Sequence, residues 1–265
     1  MNALRKYWWI ALTSARSNLA YRGDIVGRLL FLAVILYVFL RLWQTTYGQT
    51  GASRLGGLSL AQMLWYLTMT EAVVLSAPRV SHAIDEDVRT GALAVQLLRP
   101  MSYGLYRLAA TFGERFVRYA INLAAGALVA LLLVGPAPSL GFGLLALAAA
   151  LPLAFLLDFL GNFWIGLGAF WLEDTNGIFL LYSRLVMIAG GVMIPIELYP
   201  SAVQPLLRWL PFSNIASGPA RIFVDPSATQ LASLLVHQLV GASILAVCVT
   251  VTYRFALRRV FVNGG

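Results

Sequence analysis

The 265-residue chain is 60% hydrophobic and 11% charged, about half the charged fraction of a soluble domain, which excludes an ordinary soluble enzyme. Its formal charge of +8 comes from 18 arginines and a single lysine, Lys6, but these residues lie between long apolar runs. Orientation in a membrane therefore explains the charge better than a nucleic-acid partner does. The composition predicts an all-α integral membrane protein, and the single cysteine, Cys248, excludes an internal disulfide.

The first predicted element, residues 1–22, is an amphipathic helix that lies in the membrane interface. Leu4, Trp8 and Leu12 recur at helical spacing, while Arg16 falls largely on another side. Tryptophans at such positions favour headgroup depth. The alternative, that this helix simply extends the first span, is disfavoured by the charged residues that follow it.

Six apolar runs are each interpreted as a membrane span. They are residues 25–43, 59–80, 116–134, 142–172, 177–194 and 231–253. Between the last two, residues 195–228 contain six prolines. This stretch predicts a hairpin of short helices that enters the membrane from the non-cytoplasmic side and returns. The whole chain, 1–265, is expected to be one transmembrane domain.

The distribution of basic residues predicts the orientation. Fourteen of the 19 lie in residues 1–28, 79–118 and 254–259. The positive-inside rule places those segments, and with them both termini, in the cytoplasm. Six spans satisfy that requirement.

Residues 84–108 form a charged island between the second and third predicted spans. Its middle, 90–98, predicts a short helix with its leucines on one side, preceded by three carboxylates and stopped by Pro100. One interpretation is a solvated loop helix, and the other is a docking helix for a soluble partner. On the second interpretation the contacting residues are Asp85, Glu86, Asp87, Arg89, Gly91, Leu93, Leu97 and Arg99.

The sequence carries no catalytic or cofactor-binding signature. It lacks G-x-x-x-x-G-K-[ST], so the chain cannot cradle nucleotide phosphates as a P-loop does. Its two histidines, His82 and His237, are far apart, and no H-x-x-x-H or C-x-x-C occurs. No catalytic residue, metal site or cofactor is therefore predicted in this chain.

Three ionisable residues fall inside predicted spans: Glu71, Asp158 and Arg184. A charge at that depth costs about 2.5–3.5 kcal/mol, so each is expected to face a cavity or a partner. Asp158 and Arg184 lie on consecutive spans, and they either pair, across a register mismatch of roughly 9 Å, or are satisfied locally. The local partners are Asn162, Ser183 or Tyr182. For Glu71 the expected partners within the bundle are Tyr66, Thr68 or Thr70.

Two stretches carry a resemblance to a known family. The first consists of Asp87, Val88, Arg89, Gly91, Leu93, Leu97, Leu98, Arg99 and Pro100. It resembles the cytoplasmic coupling segment of ABC-2-type transporter permeases, in a subfamily with a Gly-x-Leu…Leu-Leu-Arg-Pro pattern. The second, 195–223, resembles the extracellular helical hairpin of the same family. Many members place Glu-Arg before Gly-Thr in the coupling helix, and this chain departs from that pattern.

The resemblance implies a permease subunit of an ATP-driven exporter in the bacterial inner membrane. A separate ATPase dimer would bind ATP and Mg²⁺ and push on the coupling segment, and a second permease subunit, paralogous or identical, would complete the path. The chain itself would not be an enzyme. Two alternatives are a membrane-embedded lipid-modifying enzyme, which needs convergent His or acidic residues, and a secondary transporter, which typically has inverted repeats. Neither feature is visible in the sequence.

Overall fold

The computed structural model describes residues 3–19 and 22–260, and its regular elements in these ranges are all helices. The predicted all-α class is confirmed. In chain order the helices are α1 (Ala3–Asn18), α2 (Arg22–Thr50), α3 (Leu60–Leu75), α4 (Val80–Arg89), α5 (Ala92–Leu97), α6 (Tyr103–Val134), α7 (Phe142–Leu167), α8 (Asn176–Ile188), α9 (Gln204–Trp209), α10 (Pro211–Ile215), α11 (Ser217–Val224) and α12 (Ala228–Val260). Short 3₁₀ turns cover Gly168–Phe170 and Ile196–Leu198.

Four helical segments are long and apolar enough to cross a membrane. They are Ile25–Thr50, Tyr103–Val134, Phe142–Phe170 and Ala228–Arg258, with 26, 32, 29 and 31 residues. Each exceeds the roughly 20 residues that a hydrocarbon core of about 30 Å requires. They contain the first, third and sixth predicted spans and all but the last two residues of the fourth, and they indicate a multi-pass membrane protein.

The second and fifth predicted spans form shorter helices. Helix α3 has 16 residues and ends at Leu75, whereas the prediction continued to residue 80. Pro78 explains the early end, because a proline disfavours the helical conformation in the residue that precedes it. Helix α8 has 13 residues, and the chain turns soon after it at Gly191, where φ is 68°.

Helix α3 is the centre of the core. It begins with a capping box, in which Ser59 and Gln62 each accept a hydrogen bond from the other's backbone N–H. From Met63 to Val73 every side chain is buried. Helices α2, α6 and α11 pack around it. A helix that is apolar on nearly all sides is expected at such a position.

Helix α6 begins at Tyr103, well before the predicted start of the third span at residue 116. The prediction treated Arg115 as the membrane boundary. In the structure the helix continues through this residue, because Asp158 of α7 pairs with it. A charge with a buried partner therefore does not mark the end of the helix.

Helix α1 packs along the first half of α6. Tyr7 Oη accepts a hydrogen bond from the Ser102 N–H at 3.2 Å, and Asn18 Oδ1 accepts one from Arg118 Nε at 3.1 Å. Between these bonds the two backbones approach at Gly113, where an added Cβ would lie 1.9 Å from the Ala11 carbonyl oxygen. Glycine is required there by the closeness of the helices.

The region 195–228 forms short helices, as predicted, and the turn that leads into it is buried against α3. The carbonyl of Gly191 accepts a hydrogen bond from Tyr66 Oη at 2.5 Å, and that of Val192 accepts one from Thr70 Oγ1 at 3.0 Å. Gly190 O accepts one from the Ser217 N–H at 3.1 Å. Side chains of α3 therefore satisfy irregular backbone in the interior, as such backbone requires.

Candidate functional site

The charged segment between α3 and α6 forms two short helices joined at Gly91. Its φ of 73° is left-handed, a conformation that glycine adopts without steric cost, and it separates α4 from α5. The predicted helix over 90–98 corresponds to α5 (Ala92–Leu97). The prediction that three carboxylates precede the helix N-terminus is wrong, because these residues lie in the second half of α4.

Asp87 anchors α4 to the start of α6. Its carboxylate accepts hydrogen bonds from Tyr103 Oη at 2.6 Å and from Gln96 Nε2 at 3.1 Å, and it forms an ion pair with Arg107. Arg107 also donates to the Ala83 carbonyl at 3.2 Å. Asp87 is buried. It was predicted to contact a partner, but its carboxylate is occupied within the chain.

Asp85 connects α4 to the segment before α8. It accepts a hydrogen bond from Thr175 Oγ1 at 3.0 Å and pairs with Arg89 at 2.7 Å. Nearby, the ring of His82 contacts that of Phe179 edge to face, with centroids 4.6 Å apart. Helix α4 packs along α7, and these hydrogen bonds also attach it to α6 and to the segment that leads into α8.

The outward face of α5 differs from the predicted one. Leu93 is buried and Leu97 is half-buried, whereas Val95 is 61% and Leu98 87% exposed. Val95 was not among the predicted contact residues, although its spacing of three from Leu98 places both on one helix face. We refer to six of the exposed residues of this region as the tip surface: Glu86, Arg89, Gly91, Val95, Leu98 and Arg99.

A buried ion pair joins α6 to α7. Arg115 Nη1 lies 2.6 Å from Asp158 Oδ2, and the guanidinium stacks over the Phe155 ring at 4.2 Å. The other oxygen of Asp158 accepts hydrogen bonds from Tyr182 Oη at 2.9 Å and from Asn162 Nδ2 at 3.0 Å. Two of the predicted local partners are thus correct, but sequence reasoning missed Arg115.

The pairing of Asp158 with Arg184 is not formed. Arg184 is exposed on α8, and its Nη1 donates to the Met187 sulfur at 3.7 Å. The register mismatch counted against this pair, and Asp158 has a nearer cation in α6. The arrangement follows from Arg115 lying within the bundle.

Glu71 is buried in α3, and its expected partners bond elsewhere. Tyr66 donates to the Gly191 carbonyl, Thr68 to the Leu64 carbonyl and Thr70 to the Val192 and Leu67 carbonyls. These hydroxyls satisfy backbone groups, which are obligatory hydrogen-bonding partners when buried.

A cavity of about 280 Å³ lies beside the buried ion pair, and we refer to it as the polar cavity. The exposed Arg79 and the buried Arg115 both line it, so it extends from the surface to the core. Within the described part of the chain, Arg115 Nε and Asn162 Oδ1 are buried without a hydrogen-bond partner. Both atoms belong to residues that line this cavity.

A known protein family matches most of this chain. A family model described as "ABC-2 family transporter protein" matches residues 30–264. The match begins within α2 and covers α4, α5 and both partners of the buried ion pair. No curated protein matches the chain.

Proposed function

This chain belongs to the ABC-2 transporter family, and we propose that it is the permease subunit of an ATP-driven exporter, powered by a separate ATPase subunit. The single observation that carries the ATPase partnership is the tip surface. It places two exposed apolar side chains, Val95 and Leu98, among charged residues and outside the four long apolar helices. Lipid contact does not account for apolar side chains at that position, whereas a protein partner does.

The attachments of α4 support a coupling role for this region. A displacement of the tip surface reaches α6 through Asp87 and Tyr103, and it reaches the start of α8 through Asp85 and Thr175. Coupling between distant sites requires a physical element that both sites bias. Helix α4 is suited to be such an element, since it lies between the surface and helices α6, α7 and α8.

In this proposal the six spans are α2, α3, α6, α7, α8 and α12, with both termini in the cytoplasm of a bacterial cell. The arginine distribution supports this orientation. Helices α3 and α8 are about 24 and 20 Å long at 1.5 Å per residue, which is short for a bilayer. The buried turn after α8 and the short helices α9 to α11 would complete the crossing on the non-cytoplasmic side.

A second permease subunit, paralogous or identical, is the further partner. Helix α8 is apolar and its described side chains are mostly exposed, yet it carries Arg184 on an exposed face. Such a charge at bilayer depth is costly when lipid surrounds it. A neighbouring subunit that lines a path next to α8 would remove that cost.

Co-purification tests the ATPase partnership. The double variant Val95→Asp/Leu98→Asp should lose association with a chain that carries a P-loop, because truncating buried interface anchors costs about 2 kcal/mol or more, roughly 30-fold in affinity. Leu140→Asp is the matched control, since Leu140 is 68% exposed in the loop between α6 and α7. Equal recovery of the ATPase with both variants would place the contact elsewhere.

A further inference from the structure

Two cavities lie on either side of Tyr182 in α8. The polar cavity separates α8 from the end of α3 and from the ion pair of α6 and α7. A second cavity of about 410 Å³, which we call the apolar groove, lies between α8, α7, α10 and α12. Tyr182 and Ile215 line both. Helix α8 is loosely packed, with Val186 as its buried residue, and the two spaces are neighbours because they share Tyr182 and Ile215 as wall residues.

The chemistry of the polar cavity favours a negatively charged group. Its charged lining residues are Arg79, Arg115 and Asp158, which leaves one positive charge in excess. Asp158 occupies Nη1 of Arg115, but Nε points to no acceptor although Arg115 is 1% exposed. A buried donor without an acceptor is costly. Nε is closed to solvent in this conformation, so the guanidinium must turn before an anionic oxygen in the cavity can accept a hydrogen bond from it. Asn162 Oδ1 is the matching free acceptor for a hydroxyl.

The apolar groove has the opposite character. None of its lining residues is charged, and Leu157, Leu181 and Leu245 contribute to its walls. Trp164 also lines it and donates its indole N–H to Thr252 Oγ1 at 2.9 Å. Such a lining matches an alkyl chain, which gains free energy by leaving water. The polar tip and apolar ring of Tyr182 separate the two environments.

We propose that the two cavities together hold an amphiphile, with its negatively charged head at Arg115 and Arg79 and its alkyl chain in the apolar groove. Asp158 positions the Arg115 guanidinium, and Tyr182 positions Asp158 through its hydroxyl. Resting on the proposed permease function, this assigns the transported substrate to the class of anionic amphiphiles. The assignment is independent of the tip surface, which lies on α4 and α5.

The test uses the full chain in nanodiscs of phosphatidylcholine, with dodecyl phosphate brominated on its chain as the probe. Bromine quenches the fluorescence of nearby indoles. The quenching that arises in the groove is the difference in quenching between the unmodified protein and Trp164→Phe. We expect the phosphate to bind at least tenfold more tightly than the equally brominated dodecyltrimethylammonium. Equal affinities for the two head charges, or no quenching that depends on Trp164, would overturn the proposal.

Two variants test the site proposed for the charged head of the amphiphile. Arg115→Gln/Asp158→Asn keeps a neutral pair, and it should reduce the preference for phosphate below threefold while the chain still binds. If this variant does not fold, Arg79→Gln, a change at an exposed residue, should reduce the preference at least threefold. Arg41→Gln, a change at another exposed arginine, should leave it unchanged. A preference that survives the Arg79 and Arg115 changes would contradict the proposed site.

Binding in nanodiscs needs neither ATP nor the ATPase, so its failure is distinguishable from failure of the permease proposal. Loss of quenching with intact ATPase association would contradict the amphiphile proposal and leave the permease proposal standing. A resident membrane lipid is the other possible source of this chemistry. Binding without ATP-dependent release from the reconstituted complex would identify such a lipid and would overturn the substrate assignment.

Discussion

Arg115 and Asp158 form an ion pair inside the bundle, with Nη1 and Oδ2 2.6 Å apart and both side chains almost fully withdrawn from the surface. They lie 43 positions apart in the sequence and belong to successive helices. A buried pair of this kind contributes little relative to a well-packed apolar replacement, but either charge left alone is strongly unfavourable. The stability of the α6–α7 contact therefore depends on keeping both residues or removing both.

The first prediction concerns this pair. Asp158→Ala and Arg115→Ala should each destabilise the protein by about 3–5 kcal/mol, because each leaves an uncompensated buried charge. Arg115→Leu/Asp158→Leu should recover most of that loss. Thermal unfolding of the purified protein in detergent measures the effect, with the exposed Arg184→Ala as control. If Asp158→Ala unfolds at the same temperature as the control, the pair does not support the fold.

The second prediction concerns Asp87. Asp87→Ala leaves Tyr103 and Arg107 without their shared acceptor, and an unsatisfied buried group costs about 1–3 kcal/mol. Helix α4 should loosen from α6, and stimulation of ATP hydrolysis by the permease should fall. Glu173→Ala, a change at an exposed carboxylate outside the tip surface, serves as the control. Comparable stimulation in both variants would show that this attachment does not transmit the movement.

The third prediction tests the junction between α4 and α5. Gly91→Ala should cost about 1–2 kcal/mol, because an L side chain is disfavoured at a φ of 73°. Gly177→Ala is closely matched, since a Cβ meets nothing within 4 Å at either glycine and only Gly91 has a positive φ. ATPase co-purification should decrease for Gly91→Ala alone. Equal decreases would point to a cause other than backbone conformation.

The fourth prediction concerns the contact between α1 and α6. Gly113→Ala places a Cβ 1.9 Å from the Ala11 carbonyl oxygen, so α1 must move away. Tryptic cleavage within α1, for example after the exposed Arg16, should become faster. At Gly104 the nearest atom is 3.8 Å from the added Cβ, so Gly104→Ala should cleave at the unmodified rate. An unchanged rate for Gly113→Ala would mean that the added Cβ is accommodated without loosening α1 from α6.

The fifth prediction tests the orientation. In a Cys248→Ser background, Ser201→Cys should react with an impermeant maleimide added to intact cells. Thr90→Cys should react only after permeabilisation, because the arginine distribution predicts that its segment lies in the cytoplasm. Both positions are exposed, so access to solvent within the protein does not distinguish them. The reverse pattern would invert the proposed topology.

The sequence predicted long helices well, and it failed where a charge has a partner within the bundle. Apolar runs located α2, α6, α7 and α12 because length and hydropathy are local properties. Arg115 was assigned to the membrane boundary, so its partnership with Asp158 was not considered. Which helices are neighbours is a property of tertiary packing, and spacing along the chain does not determine it.

The sequence also could not predict which face of the short helix α5 is buried. Leucines at 93, 97 and 98 predicted an apolar face on α5 but did not show whether the chain or a partner covers it. In the structure Leu93 and Leu97 turn toward the bundle, and Leu98 joins Val95 outside. With only six residues, α5 has too few positions for periodicity to separate two apolar faces.

The two side-chain attachments that Asp85 and Asp87 provide for α4 lie in differently packed surroundings. Asp87 connects it to the first half of α6, which α1 flanks, whereas Asp85 connects it to Thr175, just ahead of the loosely packed α8. Helix α4 also packs along α7, where Ile84 lies against Gly166. A displacement of α4 would therefore be transmitted to α7 as well, and the helix with the fewest buried residues of these three, α8, would offer the least resistance to it.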